Sequence, residues 1–199
     1  MNRHDLFEVL SAIHPLSQDF EQAIKAEVIP ATFERNHILL DIPRIADFVY
    51  FIRRGVAMSY SVDKNKKIVD CFWQGGQIMT SVSSFCGDTP STVTIQLMSD
   101  SDLLCLSKEA LNRLLDKHHE AHLLYHKVVA RYHKKCQKRI RDIQRKSAAA
   151  RFESLVKAYP ELEQFVPQEN IASYLGITPQ SLSRIKRLKS DSEDEVSEV

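Results

Sequence analysis

The stretch Val166-Pro167-Gln168-Glu169-Asn170-Ile171-Ala172-Ser173-Tyr174-Leu175-Gly176-Ile177-Thr178-Pro179-Gln180-Ser181-Leu182-Ser183-Arg184-Ile185-Lys186-Arg187 reads as helix, tight turn, helix. Pro167 suits the first turn of the first helix, and Gly176 supplies the left-handed residue that ends it. Thr178-Pro179 offers an N-cap followed by proline at the first helical position. Ile171, Ala172, Leu175, Ile177, Leu182 and Ile185 fall where two helices crossing through a short turn must touch, and the small Ala172 permits close approach. At about 100° per residue, Leu182 and Ile185 face inward while Gln180, Ser183, Arg184 and Arg187 share the opposite face. Arginine pairs bidentately with guanine, glutamine with adenine, and serine with bases or phosphate. Thr178, at the positive end of the helix, suits a phosphate oxygen. The segment therefore points to double-stranded DNA, with Thr178, Gln180, Ser181, Ser183, Arg184, Lys186 and Arg187 as the contacting set. The competing reading is a helical hairpin that merely carries Arg and Gln outside.

Upstream, one long helix is expected from about His119 to Ile143. Tyr125, Val129, Tyr132, Cys136, Ile140 and Ile143 recur on it at steps of three and four, giving an apolar stripe between Lys and Arg flanks. Such a seam needs a surface to cover it, either its own upstream domain or a second copy; we expect a homodimer through this seam. The basic run Arg131–Arg151 holds Asp142 as its only acid, whereas Asp191–Glu198 is an acidic tail. A third helical segment opens at Ala148 and closes at Tyr159-Pro160, with a hinge expected near Lys146.

Residues 33–106 have a different texture. Short β-rich runs are expected at Phe33–Leu40, Phe48–Arg53, Val56–Val62, Lys67–Trp73, Ser91–Met98 and Leu103–Leu106. Turn chemistry separates them at Asp41-Ile42-Pro43, Gly55, Asp63-Lys64-Asn65, Gln74-Gly75-Gly76 and Cys86-Gly87-Asp88-Thr89-Pro90. Strands at this spacing suggest a sandwich or barrel-like roll. Ahead of them, Leu6–Ile13 and Phe20–Val28 read as short helices, the second ended by Pro30. Behind them, Ser107 caps a short helix through Ala110, Leu111, Leu114 and Leu115.

With 199 residues, 43% hydrophobic, the chain is long enough for one large or two modest cores. No run approaches the roughly 20 apolar residues of a membrane span, and the N-terminus lacks a secretory layout, so no membrane partner and a cytoplasmic location are expected. The four cysteines, Cys71, Cys86, Cys105 and Cys136, lack metal-ligand spacing and are expected to be buried thiols. Five of the eight histidines, His118, His119, His122, His126 and His133, cluster around the long helix and are read as surface residues; no metal is assigned.

In this order, β-roll, long helix and terminal helix-turn-helix, the chain resembles the cyclic AMP receptor protein and Fnr (Crp/Fnr) family of bacterial regulators. Ile171–Ile185 is the main anchor, similar to the family's DNA-reading helix pair, particularly in the branch common among Bacteroidetes. Phe48-Val49-Tyr50-Phe51-Ile52-Arg53-Arg54-Gly55, the hairpin from Val56 to Trp73 and the Gly75-Gly76 turn extend the match. The resemblance implies an α+β fold: a cyclic-nucleotide-binding-like β-roll of the double-stranded β-helix or jelly-roll type over 1–116, a dimerisation helix over 117–145, and a winged helix-turn-helix over 146–199. By it, Gln180 and Arg184 occupy base-reading positions, and contact with RNA polymerase is implied.

The sensor half departs from the cyclic-nucleotide pattern. Members that bind cyclic AMP carry a Phe-Gly-Glu-like helix start whose Glu holds the ribose, and an Arg-Ser-Ala-like element whose Arg pairs with the phosphate. The corresponding stretches here read Met79-Thr80-Ser81 and Pro90-Ser91-Thr92. Losing the Arg removes a charge-assisted contact worth roughly 1.5 to 3 kcal/mol, so no cofactor is expected, cyclic AMP included. Gly76, Thr80, Ser81, Ser83, Ser84, Ser91 and Thr92 either line a small polar pocket for another effector or simply satisfy the loop backbone. The Fnr-type cysteine cluster is absent ahead of Cys71.

Two other classes compete. One is a ligand-binding or protein-interaction module that has lost DNA binding, motivated by the acidic tail. The other is an enzyme, against which stands the lack of a Gly-rich phosphate loop, a nucleophile elbow or a paired metal-ligand motif.

Overall fold

In the computed structural model residues 4–197 are described, with side chains up to Leu188; the acidic stretch Asp191–Glu198 thus lies outside the described side chains. The elements run α1 (Leu6–Ser11), α2 (Gln18–Glu27), β1 (Ile29–Phe33), β2 (Ile38–Leu40), β3 (Phe48–Arg54), β4 (Val56–Asp63), β5 (Lys66–Gln74), β6 (Ile78–Met79), α3 (Val82–Gly87), β7 (Thr94–Leu97) and β8 (Ser101–Ser107). Helices follow: α4 (Lys108–Lys117), α5 (His119–Arg145), α6 (Ala148–Ala158), α7 (Leu162–Phe165), α8 (Gln168–Leu175) and α9 (Pro179–Ser197).

The strands form two antiparallel sheets, β1-β8-β3-β6 and β2-β7-β4-β5. Their faces enclose a core of Ile52, Ala57, Trp73, Met79, Phe85, Ile95, Leu97 and Leu103. The β4–β5 hairpin pairs Asp63 with Lys66, and the two residues between, Lys64 and Asn65, both sit at positive φ, 46° and 63°. That is the backbone a two-residue hairpin needs to match strand twist, and Asn accepts it at little cost.

Several boundaries differ from the sequence reading. Phe33–Leu40 is not one strand: Asn36, at φ 70°, turns the chain so that β1 and β2 enter different sheets. Pro30 does not end the preceding helix; α2 stops at Glu27, and Pro30 lies within edge strand β1, where a missing N–H is tolerated. The run Ser91–Met98 contracts to β7, and β6, α3 and α7 were not foreseen. Among the described residues no strand follows Ser107, so the expected wing is not built from them.

Helix starts follow their caps. Ser107 Oγ accepts from the Ala110 N–H at 3.1 Å, as expected, and Ser147 Oγ caps α6 through Ala150 at 3.2 Å. The helix α5 ends at Arg145, with Lys146 as its C-cap. On its inner side, Ala121 and Leu124 join Leu6, Leu10, Phe20, Ile24, Phe51 and Leu114 in a second core beneath α1, α2 and α4.

A third core spans the two halves. Val56, Met58 and Tyr60 of β4 and Val69 and Phe72 of β5 pack with Phe152, Leu155, Tyr159, Leu162, Ile171, Leu175 and Leu182. Alternate residues of β4 therefore face the roll interior and the C-terminal helices, which is why Val56–Tyr60 is buried without a break.

Candidate nucleic-acid interface

Helix α8 ends as the sequence specifies. Gly176 lies at φ 68°, its N–H bonds Ser173 O at 3.0 Å, and the Ile177 N–H bonds Ala172 O at 3.1 Å. This paired closure satisfies the last carbonyls and turns the chain out of the helix. Thr178 Oγ1 then accepts from the Ser181 N–H at 3.2 Å, and Pro179 opens α9. Pro167 stands just ahead of α8 in extended backbone rather than within its first turn.

The two helices cross on small and apolar contacts. Ala172 and Leu182 are fully buried and Ile171 and Leu175 nearly so. With Leu182 pinned inward, Gln180, Ser183, Arg184 and Arg187 are all exposed on α9, with exposed Thr178 at its start. The structure thus brings these five together on one outward face. Two others of the expected set are engaged elsewhere. Lys186 is half-buried, pairs with Glu163 and lies 5.7 Å from the Phe152 ring centroid. Ser181 is half-buried and shares a 3.0 Å hydrogen bond with the Thr178 hydroxyl.

The basic run on α5 is only in part a solvated face: Arg131, Lys134, Lys138, Arg141 and Arg145 are exposed, whereas Lys135, Arg139 and Lys146 are half-buried. Arg139 reaches Asp70 and donates to Val69 O at 3.0 Å and Tyr174 O at 3.4 Å. Lys138 and Lys146 flank Asp142 at 3.2 and 3.1 Å. Lys135 is half-buried: its Nζ donates to Phe72 O at 3.1 Å and lies 5.7 Å from the Trp73 ring and 5.6 Å from the Tyr159 ring. Desolvation favours loss of the Lys135 proton, but the Cys71 and Tyr159 groups beside it outweigh that and hold it more firmly than in a free lysine.

Along the expected dimer seam, Ile140 and Ile143 are 57% and 50% exposed. Val129 and Cys136 are half-buried, whereas Tyr125 turns toward its own roll and donates to Cys86 Sγ at 3.0 Å, and Tyr132 lines a cavity beneath α5. The cysteines are only partly as expected: Cys71 and Cys105 are buried, but Cys86 is exposed and Cys136 half-buried, because both sit on helix surfaces. Among the described residues no group of three metal-ligating side chains forms.

In the loop from Thr80 to Val93 the hydroxyls are spent largely on backbone. Ser84 Oγ accepts from Ala46 N–H at 3.0 Å and donates to Thr89 O at 2.6 Å; Ser91 Oγ donates to Val93 O at 2.7 Å; Thr80 Oγ1 donates to Phe48 O at 2.9 Å. Ser81 is buried beside Ser91, with 3.2 Å between their oxygens, while Ser83 and Thr92 are exposed. Gly76 lies against the His4 ring and, with Thr80, lines the larger cavity beneath α5. The small cavity nearby, about 150 Å³, includes Thr80 alone of this set, together with Arg44.

The contacts that dock the C-terminal helices on β5 were not legible from the motif. Ser173 Oγ accepts from the Val69 N–H at 3.0 Å and donates to Lys67 O at 2.9 Å, and the Tyr159 hydroxyl donates to Phe72 O at 3.0 Å. The one signal available was the near-unbroken apolar run Val56-Ala57-Met58, which implies a strand covered on both faces.

Residues 30–118 match the cyclic nucleotide-binding domain family. No curated protein matches the sequence. Among solved structures, the chain is similar to FixK2 from Bradyrhizobium japonicum, with 15% identity, a TM-score of 0.68, and 83% of this chain and 86% of that one covered. It is similar to a crp/fnr-family transcriptional regulator from Eubacterium rectale at 17% identity, TM-score 0.68, and 89% and 85% coverage. The catabolite activator protein of Thermus thermophilus aligns at 13% identity, TM-score 0.56, with 93% and 88% covered. Residues 30–118 therefore form a cyclic nucleotide-binding-type domain, and the whole chain has the fold of Crp/Fnr-type transcription regulators.

Proposed function

We propose that the chain is a sequence-specific DNA-binding transcription regulator, acting as a homodimer in the cytoplasm and not responsive to cyclic AMP. One observation carries this reading: α9 buries Leu182 completely while presenting Gln180, Ser183, Arg184 and Arg187 to solvent behind a capped N-terminus. Arg184 and Gln180 read base edges, while Thr178 and Arg187 hold phosphates. A dimer through α5 sets two such helices about one DNA turn apart and calls for a near-palindromic site. The half-exposed Ile140 and Ile143 support that pairing. RNA polymerase is the natural partner of a regulator of this kind.

Against a cyclic nucleotide stands the chemistry of the loop from Thr80 to Val93, which holds no arginine and whose one acid, Asp88, pairs with Lys108. Arg184→Ala tests the reading face: it should weaken specific binding by about 1 to 3 kcal/mol and relax base preference at one position. Unchanged affinity and preference would overturn it.

A further inference from the structure

A cavity of about 430 Å³ lies between the β1-β8-β3-β6 sheet and helices α1, α2, α4 and α5, with Thr80 the one hydroxyl of the serine-rich loop on its wall. Its volume is in the range of small-molecule sites. Its wall is made of side chains such as Leu10, Phe20, Phe51, Leu104 and Leu124, with no Asp or Glu. Two cations border it one helical turn apart, Arg131 and Lys135. Arg131 donates to Ala12 O at 2.9 Å, and Lys135 has the Phe72 carbonyl, the Cys71 and Tyr159 groups and two ring faces, but no ion pair with a carboxylate among the described residues. Lys135 thus presents a firmly held charge at the cavity wall with no competing carboxylate among the lining residues, which suits it to pair with an incoming anion.

We infer that this cavity binds an amphipathic monocarboxylate of the fatty-acid type, its chain among the apolar side chains and its carboxylate on Lys135. The same Lys135 holds Phe72 O, the oxygen that also accepts from Tyr159, and the Phe72 ring lies 4.9 Å from that of Tyr174 in α8. A carboxylate that draws Lys135 away removes one bond from the strand on which the helix-turn-helix is docked. The effect on DNA rests on the function proposed above; the binding site does not.

Trp73 is the chain's single tryptophan and lines the cavity, so its emission reports occupancy without DNA. Delipidated protein titrated with dodecanoate should show a saturable emission change, and dodecanol should bind about 10- to 100-fold more weakly. Lys135→Arg should keep the preference for dodecanoate, and Lys135→Met should lose it. If Lys135→Met fails to fold, Val128→Phe decides the matter by filling the cavity, and should abolish the signal while the thermal melt stays cooperative. No saturable change, equal binding of dodecanol, or unaltered binding by Val128→Phe would each overturn the assignment. So would a Trp73 signal that follows protein concentration rather than dodecanoate, which would give the groove to a second copy. DNA binding that is absent while dodecanoate still binds would remove the proposed function and leave the site standing.

Discussion

The guanidinium of Arg139 lies 4.4 Å from the centroid of the Tyr174 ring while donating to the Val69 carbonyl at 3.0 Å, so one α5 side chain grips both strand β5 and helix α8. Its Nε is buried without a hydrogen-bond partner, so the residue is held by its other contacts at some cost. The C-terminal helices are thus fastened to the β-roll by a cationic clip over an apolar core.

Arg139→Met keeps the packing of the side-chain stem and removes the clip. It should lower stability by about 1 to 3 kcal/mol, at roughly 2 to 4 °C of Tm per kcal/mol, and raise hydrogen exchange across α8 more than across β3. Equal exchange in both elements would mean that Arg139 does not fasten the module.

Stability should fall at alkaline pH. Burial pushes the Tyr174 hydroxyl up to about 12, and burial with the nearby Cys105 and Asp47 does the same for Tyr50. An unfolded tyrosine ionises near 10, so the unfolded state sheds its proton first. The neutral-tyrosine contribution is therefore complete below about pH 10 and is lost as pH rises toward 12. The Tyr174 ring packs 4.9 Å from that of Phe72, and Tyr174→Phe keeps this packing, so the variant should show a shallower decline of Tm between pH 10 and 12. An identical slope would contradict the burial of that hydroxyl.

Two glycines should respond differently to alanine. At Gly176, φ 68°, an added Cβ meets nothing within 4 Å, so only the left-handed backbone penalty of about 1 to 2 kcal/mol applies. At Gly55, φ 130°, the Cβ would fall 2.1 Å from Ser101 Oγ and 2.6 Å from Ser101 Cβ. Gly55→Ala should cost several-fold more in denaturant unfolding, because strand β8 must shift as well.

Ile140→Asp combined with Ile143→Asp should convert the protein to a monomer in sedimentation while leaving its melt nearly unchanged, since both side chains are at least half exposed. A variant that remains a dimer would move the dimer surface elsewhere.

Local rules made the helix pair legible. Gly176, Thr178-Pro179 and Leu182 each act within a turn of themselves, and the structure places them as the spacing requires. The hairpin turn at Lys64-Asn65 and the Ser107 cap were readable for the same reason. The elements missed are those set by tertiary context. Strand β6 is two residues long and exists through Tyr50 and Phe51, and the split at Asn36 is a corner between sheets inside a continuous β-prone run. In the candidate site, Lys186 and Lys135 have the sequence texture of a solvated basic face, but Glu163, Phe72 and Trp73 occupy them from afar. Ser173 likewise sits on the outside of α8 taken alone, and its role at β5 depends on a contact 104 residues away.

The most direct test of the central claim is selection from a random pool of duplex DNA at fixed salt, run in parallel for the wild type and Arg184→Ala. The account predicts an enriched two-fold symmetric motif, with half-sites about one helical turn apart, that the variant loses or relaxes at one base pair per half-site. Wild-type protein that enriches no motif, or a variant that enriches the same motif equally well, would contradict it.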